Sequence, residues 1–321
     1  MTLEFLLEPL QYDFMTRALL VSALVGTVCA VLSCYVILKG WSLMGDAVSH
    51  AVLPGVVISY LLGLPFVIGA FVFGLLSVSA IGFIQSRSRV KEDTVIGVVF
   101  TALFALGLVM ISKVASEVHL SHILFGDVLG IGNSELWQTV IAGAIALVVT
   151  LLLRKDLLLY VFDPTHARSI GLNTGVLNYV LLTVLALTIV TALQTVGVIL
   201  VVAMLITPGA TAYLLTDKFS KMMWIAVACG IGSAVIGTYG SYFLDGATGA
   251  CIVLVQSIFF LLAFVFAPKH GQIARRRQQM AEREDELGEG VGGGSGVAAA
   301  PRPVLVRVRA TPSNRDGAAS D

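Results

Sequence analysis

Asp46, His50 and Pro54 recur every four residues within "GWSLMGDAVSHAVLPG", residues 40–55. On a helix that spacing stacks the three along one face, about 6 Å apart at each step. A carboxylate and an imidazole so placed can hold one ion together, and the pair suits first-row divalent ions such as manganese, iron or zinc. Pro54 has no N–H, so the carbonyl of His50 loses its helical partner and the helix loosens beside the polar groups. One carboxylate and one imidazole do not close a coordination sphere. Two copies of the chain about a two-fold axis would double the set, which motivates a homodimer. The plainer alternatives are a first-turn acid at a membrane edge for Asp46 and a satisfied core histidine for His50. The cost of ionisable groups inside a membrane favours the ion contact.

Other segments carry weaker chemical signals. In "FDPTHARSIGL", residues 162–172, Asp163 is placed to cap a short helix with Pro164 at its first position, and Gly171 can end it. A short helix between two spans can dock in a groove of another protein. In "ITPGA", Pro208 and Gly209 are expected to break their helix near the membrane surface and free the carbonyl of Met204, so Pro54, Pro208 and Gly209 are hinge candidates. Glu117, His119 and His122 lie in an outer segment that could assist metal capture or contact a donor protein, although an interfacial role without ligation is the favoured reading. Neither His166 nor His270 has an evident partner. Asn178, Gln194, Gln256 and Asp245 read as interhelical hydrogen-bonding or loop residues.

The elements that must position these groups are membrane spans. Of 321 residues, 57% are hydrophobic and only 12% charged, far from the roughly 25% charge of soluble domains. The net charge of +0 argues against nucleic acid as a partner. The first apolar run is long enough to span, so a cleavable leader is not expected. Candidate spans are 15–38, 46–63, 65–85, 93–112, 136–153, 176–195, 197–215, 221–243 and 248–267; the second and seventh are interrupted by Gly or Pro. This is an all-α, polytopic transmembrane bundle of nine spans, or eight if one is re-entrant, with some broken helices.

Basic residues favour the cytoplasmic side. With the N-terminus outside, Lys39, Arg87, Arg89, Lys91, Arg154, Lys155, Lys218 and Lys221 all fall inside, together with Lys269 and the arginines at 275–277. That pattern favours nine spans and a cytoplasmic C-terminus. Residues 1–270 form the transmembrane domain, and 271–321 read as a disordered cytoplasmic tail, charged and then Gly/Ala-rich. Ala70 with Gly74, and Ser233 with Gly237, are small pairs that permit close helix approach. Cys29, Cys34, Cys229 and Cys251 read as small buried hydrophobes rather than a disulfide or zinc framework.

"LKGWSLMGDAVSHAVLPGVVISYLLG", "EDTVIGVVF", "LFGDVLGI", "FDPTHARSIGL" and "VGVILVVAMLITPGATAYLLT" together resemble the membrane permease subunit of bacterial ABC importers for zinc, manganese and iron. The likeness covers about residues 12–268. It implies a two-fold permease pair (a second copy or a close paralogue) in the lipid of the plasma (inner) membrane. It also implies cytoplasmic ABC ATPase subunits and an extracytoplasmic metal-binding protein as partners. Asp46 and His50 match the family's acid and histidine, implied to contact the ion. The segment carrying Asp163, Pro164, Ala167 and Gly171 matches its ATPase-coupling helix. The wording of the first motif lies closer to the manganese/iron branch, with zinc the alternative. No cofactor is expected to stay bound; the divalent metal is cargo. The chain has no G-x-x-x-x-G-K-[ST] loop, so ATP hydrolysis is assigned to a separate subunit and the chain is not itself an enzyme. An ion-driven secondary transporter is the rival reading. Inverted repeats, common in such folds, are not visible here.

Overall fold

The computed structural model describes residues 11–113 and 132–267, which belong to one compact unit. Glu117, His119, His122, His270, the 271–321 tail and the Gln194 side chain lie outside the described residues. In chain order the helices are α1 (Asp13–Lys39), α2 (Met44–Ala51), α3 (Leu53–Leu62), α4 (Phe66–Arg87), α5 (Glu92–Lys113), α6 (Asn133–Leu152), α7 (Arg154–Phe162), α8 (Pro164–Ser169), α9 (Thr174–Val196), α10 (Val198–Leu215), α11 (Phe219–Leu244) and α12 (Thr248–Phe266). Among the described residues eight helical stretches, α2 and α3 counted as one, are long and apolar enough to cross a membrane. The apolar stretch Leu200–Leu215 of α10 is shorter. The second and seventh spans of the sequence are thus the interrupted and the short one.

α1 is the most enclosed of these helices, α12 the least. Hydrophobicity does not drive helices together in lipid, so close approach through small residues does. α1 crosses α11 at Gly26 and Gly230, where a Cβ on either glycine would lie 3.0 or 2.7 Å from the other's carbonyl oxygen. α3 crosses α4 at Gly55 and Gly69, and the Gly69 N–H donates to Ser59 Oγ at 3.0 Å. Of the pairs expected from sequence, Gly237 lies directly against the backbone of Ile252 in α12, and Gly74 approaches Val48 and Val190.

Pro208 does not break its helix. α10 runs unbroken through it, and opposite this turn the Ser33 hydroxyl of α1 accepts from the Gly209 N–H at 2.9 Å and donates to the Ile206 carbonyl at 3.2 Å. That cross-helix bridge steadies the turn that proline weakens. Pro54 does coincide with an interruption: the helix lapses at Val52, between α2 and α3. Asn178 makes the expected interhelical bond, accepting from Tyr160 Oη at 2.9 Å. Gln256 does not; it is buried, and neither amide atom has a partner among the described residues. Asp245 sits at the end of α11 with φ of +47°. The four cysteines are free, with Cys29 and Cys34 buried.

Candidate metal site and coupling segment

Between the last residue of α1 and the first of α2 the chain turns in only four residues. Gly40 adopts φ of +80°, its N–H bonds to the Ile37 carbonyl, and the Trp41 N–H bonds to the Val36 carbonyl at 2.9 Å. This closes the α1 C-terminus in the left-handed way that glycine permits. Trp41 is buried, and its carbonyl accepts from the Met44 N–H, so α2 starts from a fixed point. Asp46 is therefore in the first turn of α2, where the helix N-terminus favours a carboxylate. The first-turn reading and the ion-contact reading of this residue are compatible.

One side of α2 is closed: Val48 is buried, Ser49 donates to the Gly45 carbonyl, and Gly45 abuts Leu205 of α10. Asp46 and His50 occupy the more open side, with 45% and 23% of their side chains exposed. His50 Nε2 lies 3.5 Å from Asp46 Oδ1, so the two donors converge as their spacing predicts. The imidazole packs against Phe100 and Phe104 of α5, at ring-centroid distances of 5.4 and 5.2 Å, and those two rings stack on each other at 5.9 Å. Its Nδ1 is buried without a hydrogen-bond partner among the described residues. Gly107, one turn beyond Phe104, seats α5 against Leu53 and Pro54. Among the described residues no three His, Cys, Asp or Glu side chains come together.

The second segment lies between α7 and α9. Asp163 Oδ1 accepts from the Thr165 and His166 N–H groups at 3.0 and 2.9 Å, capping α8, with Pro164 at its first position. Gly171, at φ of +90°, donates to the Arg168 carbonyl and closes the helix. Arg168 Nε then reaches Thr174 Oγ1 at 2.8 Å, fastening α8 to the start of α9. Ala167 is fully buried beneath it, while Phe162 and Ile170 on either side are exposed.

A family model described as the ABC 3 transport family matches residues 11–267. The chain belongs to that family. It is 57% identical over 286 residues to a manganese transport system membrane protein of Synechocystis sp., covering 88% of this chain and 94% of that protein. It is 53% identical over 266 residues to a chelated iron transport system membrane protein of Yersinia pestis, covering 83% and 90%. Among solved structures, PsaBC from Streptococcus pneumoniae in complex with Fab matches with a TM-score of 0.76 and 41% identity, covering 84% of this chain and 98% of that one. The chain is a multi-pass membrane protein of the permease type.

Sequence reasoning did not single out Phe100, Phe104, Gly107 or Ser33. The i, i+4 aromatic pair in "FTALF" carried a signal, but aromatic residues at helical spacing are common in apolar spans. Ser33 carried none, since its partner is 176 residues away.

Proposed function

We propose that this chain is the permease subunit of an ATP-driven importer of divalent transition-metal ions, with manganese or iron as cargo and zinc as the alternative. The observation that carries the reading is the convergence of Asp46 and His50 on the open side of α2. The names of the manganese and chelated-iron relatives support the choice of cargo.

Two donors do not replace the hydration shell of a divalent ion. The set is completed when a second permease, a copy or a paralogue, presents the same face across a two-fold axis. Asp46, with 45% of its side chain exposed, leaves room for such a partner beside the α5 rings that cover His50. Carboxylate and imidazole then supply charge and borderline-soft donation. The apolar walls at Phe100 and Phe104 exclude competing water from the imidazole. By the charge rule, the end carrying Lys39, Arg154, Lys155 and α8 faces the cytoplasm, as does the C-terminus of a bacterial inner-membrane protein. There α8 meets the ABC ATPase subunit, which supplies the hydrolysis, while an extracytoplasmic binding protein delivers the metal at the other end. ATP binding shifts the pathway between two states of exposure.

The test is manganese uptake by proteoliposomes holding the permease with its ATPase and binding protein. Asp46→Asn and His50→Gln are expected to abolish uptake while the complex still assembles. Wild-type uptake in both variants removes the ion site. Uptake by the permease alone, driven by an ion gradient, overturns the ATP-driven reading.

A further inference from the structure

We propose that Lys39, Tyr160 and Asn178 form a clasp that conveys movement of α7 and α8 to the helix bearing Asp46. The proposal rests on the permease reading above and assigns positioning residues to it, none of which contacts the ion.

The clasp joins three helices at one point. Lys39 Nζ stands 4.3 Å from the ring centroid of Tyr160 in α7, and 5.8 Å from that of Trp41. The Tyr160 hydroxyl donates to Asn178 of α9 at 2.9 Å, and Tyr160 itself is 7% exposed. Six residues earlier, at its first residue, α7 is held a second time: Tyr35 Oη of α1 reaches the Arg154 carbonyl at 3.5 Å. α7 is thus held to α1 near both its ends. A cation over a ring shielded from water is worth more than one at an open surface, so displacing Tyr160 from Lys39 is resisted.

What lies on either side of the clasp gives it a consequence. Outward, α7 passes through Asp163 alone into α8, so the two helices are joined by one residue whose side chain is itself bonded into the cap. Inward, Lys39 is the last residue of α1, and the hydrogen-bonded Gly40–Trp41 turn leads directly to α2. Asp46 is the third residue of that helix. No long loop interrupts the route from the exposed α8 to the carboxylate. A displacement of α8 is passed on rather than absorbed, since packed elements move between discrete arrangements instead of deforming continuously.

The test compares manganese uptake with ATP hydrolysis in proteoliposomes containing the full chain, its ATPase and its binding protein. Lys39→Met keeps the apolar stem and removes only the cation; Tyr160→Phe keeps the ring and removes only the bond to Asn178; Lys39→Arg keeps the cation. In Lys39→Met, manganese carried per ATP is expected to fall about five-fold or more, with assembly and hydrolysis within about two-fold of wild type. Tyr160→Phe should fall between the two, and Lys39→Arg should restore the ratio. A merely structural role would lower uptake and hydrolysis together and leave their ratio unchanged. An unchanged ratio in Lys39→Met overturns the clasp while leaving the importer reading intact. Absence of ATP-dependent uptake by the wild-type complex instead overturns the importer reading.

Discussion

Gly107→Ala tests whether the wall behind His50 depends on one glycine. A Cβ at Gly107 would lie 2.8 Å from Leu53 Cβ and 3.2 Å from Pro54 Cδ. Two carbons rest at about 3.5–4.0 Å, so α5 must withdraw from α3 by about 1 Å. Neither opposing atom is the free end of a flexible side chain, so the helix rather than a rotamer has to yield. Overpacking of this kind costs about 1–3 kcal/mol. Replacing glycine by alanine in a helix returns about 1 kcal/mol, which leaves a net loss unless the clash falls at the lower limit. Phe104 is three residues before Gly107 and Phe100 is seven, so the withdrawal carries both rings away from the imidazole. The apparent affinity for manganese in uptake is expected to weaken about ten-fold, because misplacement by 1 Å is expensive at a preorganised site. Gly97→Ala on the same helix is the control: no described atom lies within 4 Å of its Cβ, so only the propensity gain operates. Thermal unfolding in detergent and the concentration dependence of uptake would be compared for the two variants. If Gly107→Ala matches Gly97→Ala in both, the packing argument fails.

Three further outcomes follow from the same geometry. Asp163→Ala removes the acceptor of two N–H groups at the start of α8 and should cost about 1 kcal/mol, with weaker ATPase association in a pull-down titration. Ser33→Ala removes both bonds to the Pro208 turn of α10. It is expected to lower thermal stability by about 1–2 kcal/mol, read by unfolding in detergent, with uptake retained by the surviving folded protein. Gly171→Ala forces a side chain into φ of +90° and should cost at least about 1 kcal/mol, reducing the temperature at which the assembled complex dissociates.

Much of this molecule was written locally. Composition and run length determined a polytopic helical bundle, since a segment of about 20 apolar residues has few other soluble or membrane fates. Short-range spacing determined that Asp46 and His50 converge, because helical neighbours four apart meet whatever surrounds them. The Asp163 cap, Pro164 and the Gly171 terminator were legible for the same reason: each acts on backbone groups within a few residues of itself. The outcome at Pro208 was not. Proline weakens a helix locally, but whether the helix then breaks depends on what stands opposite, and here Ser33 does. The same limit hid Phe100 and Phe104 around His50, and the meeting of Lys39, Tyr160 and Asn178. The sequence by itself determined which residues carry chemistry and how each sits on its own helix. Only the tertiary structure decided which helices meet. In an apolar chain nearly every span presents similar side chains, and the partners are selected by the fit of a few small residues across long sequence separations.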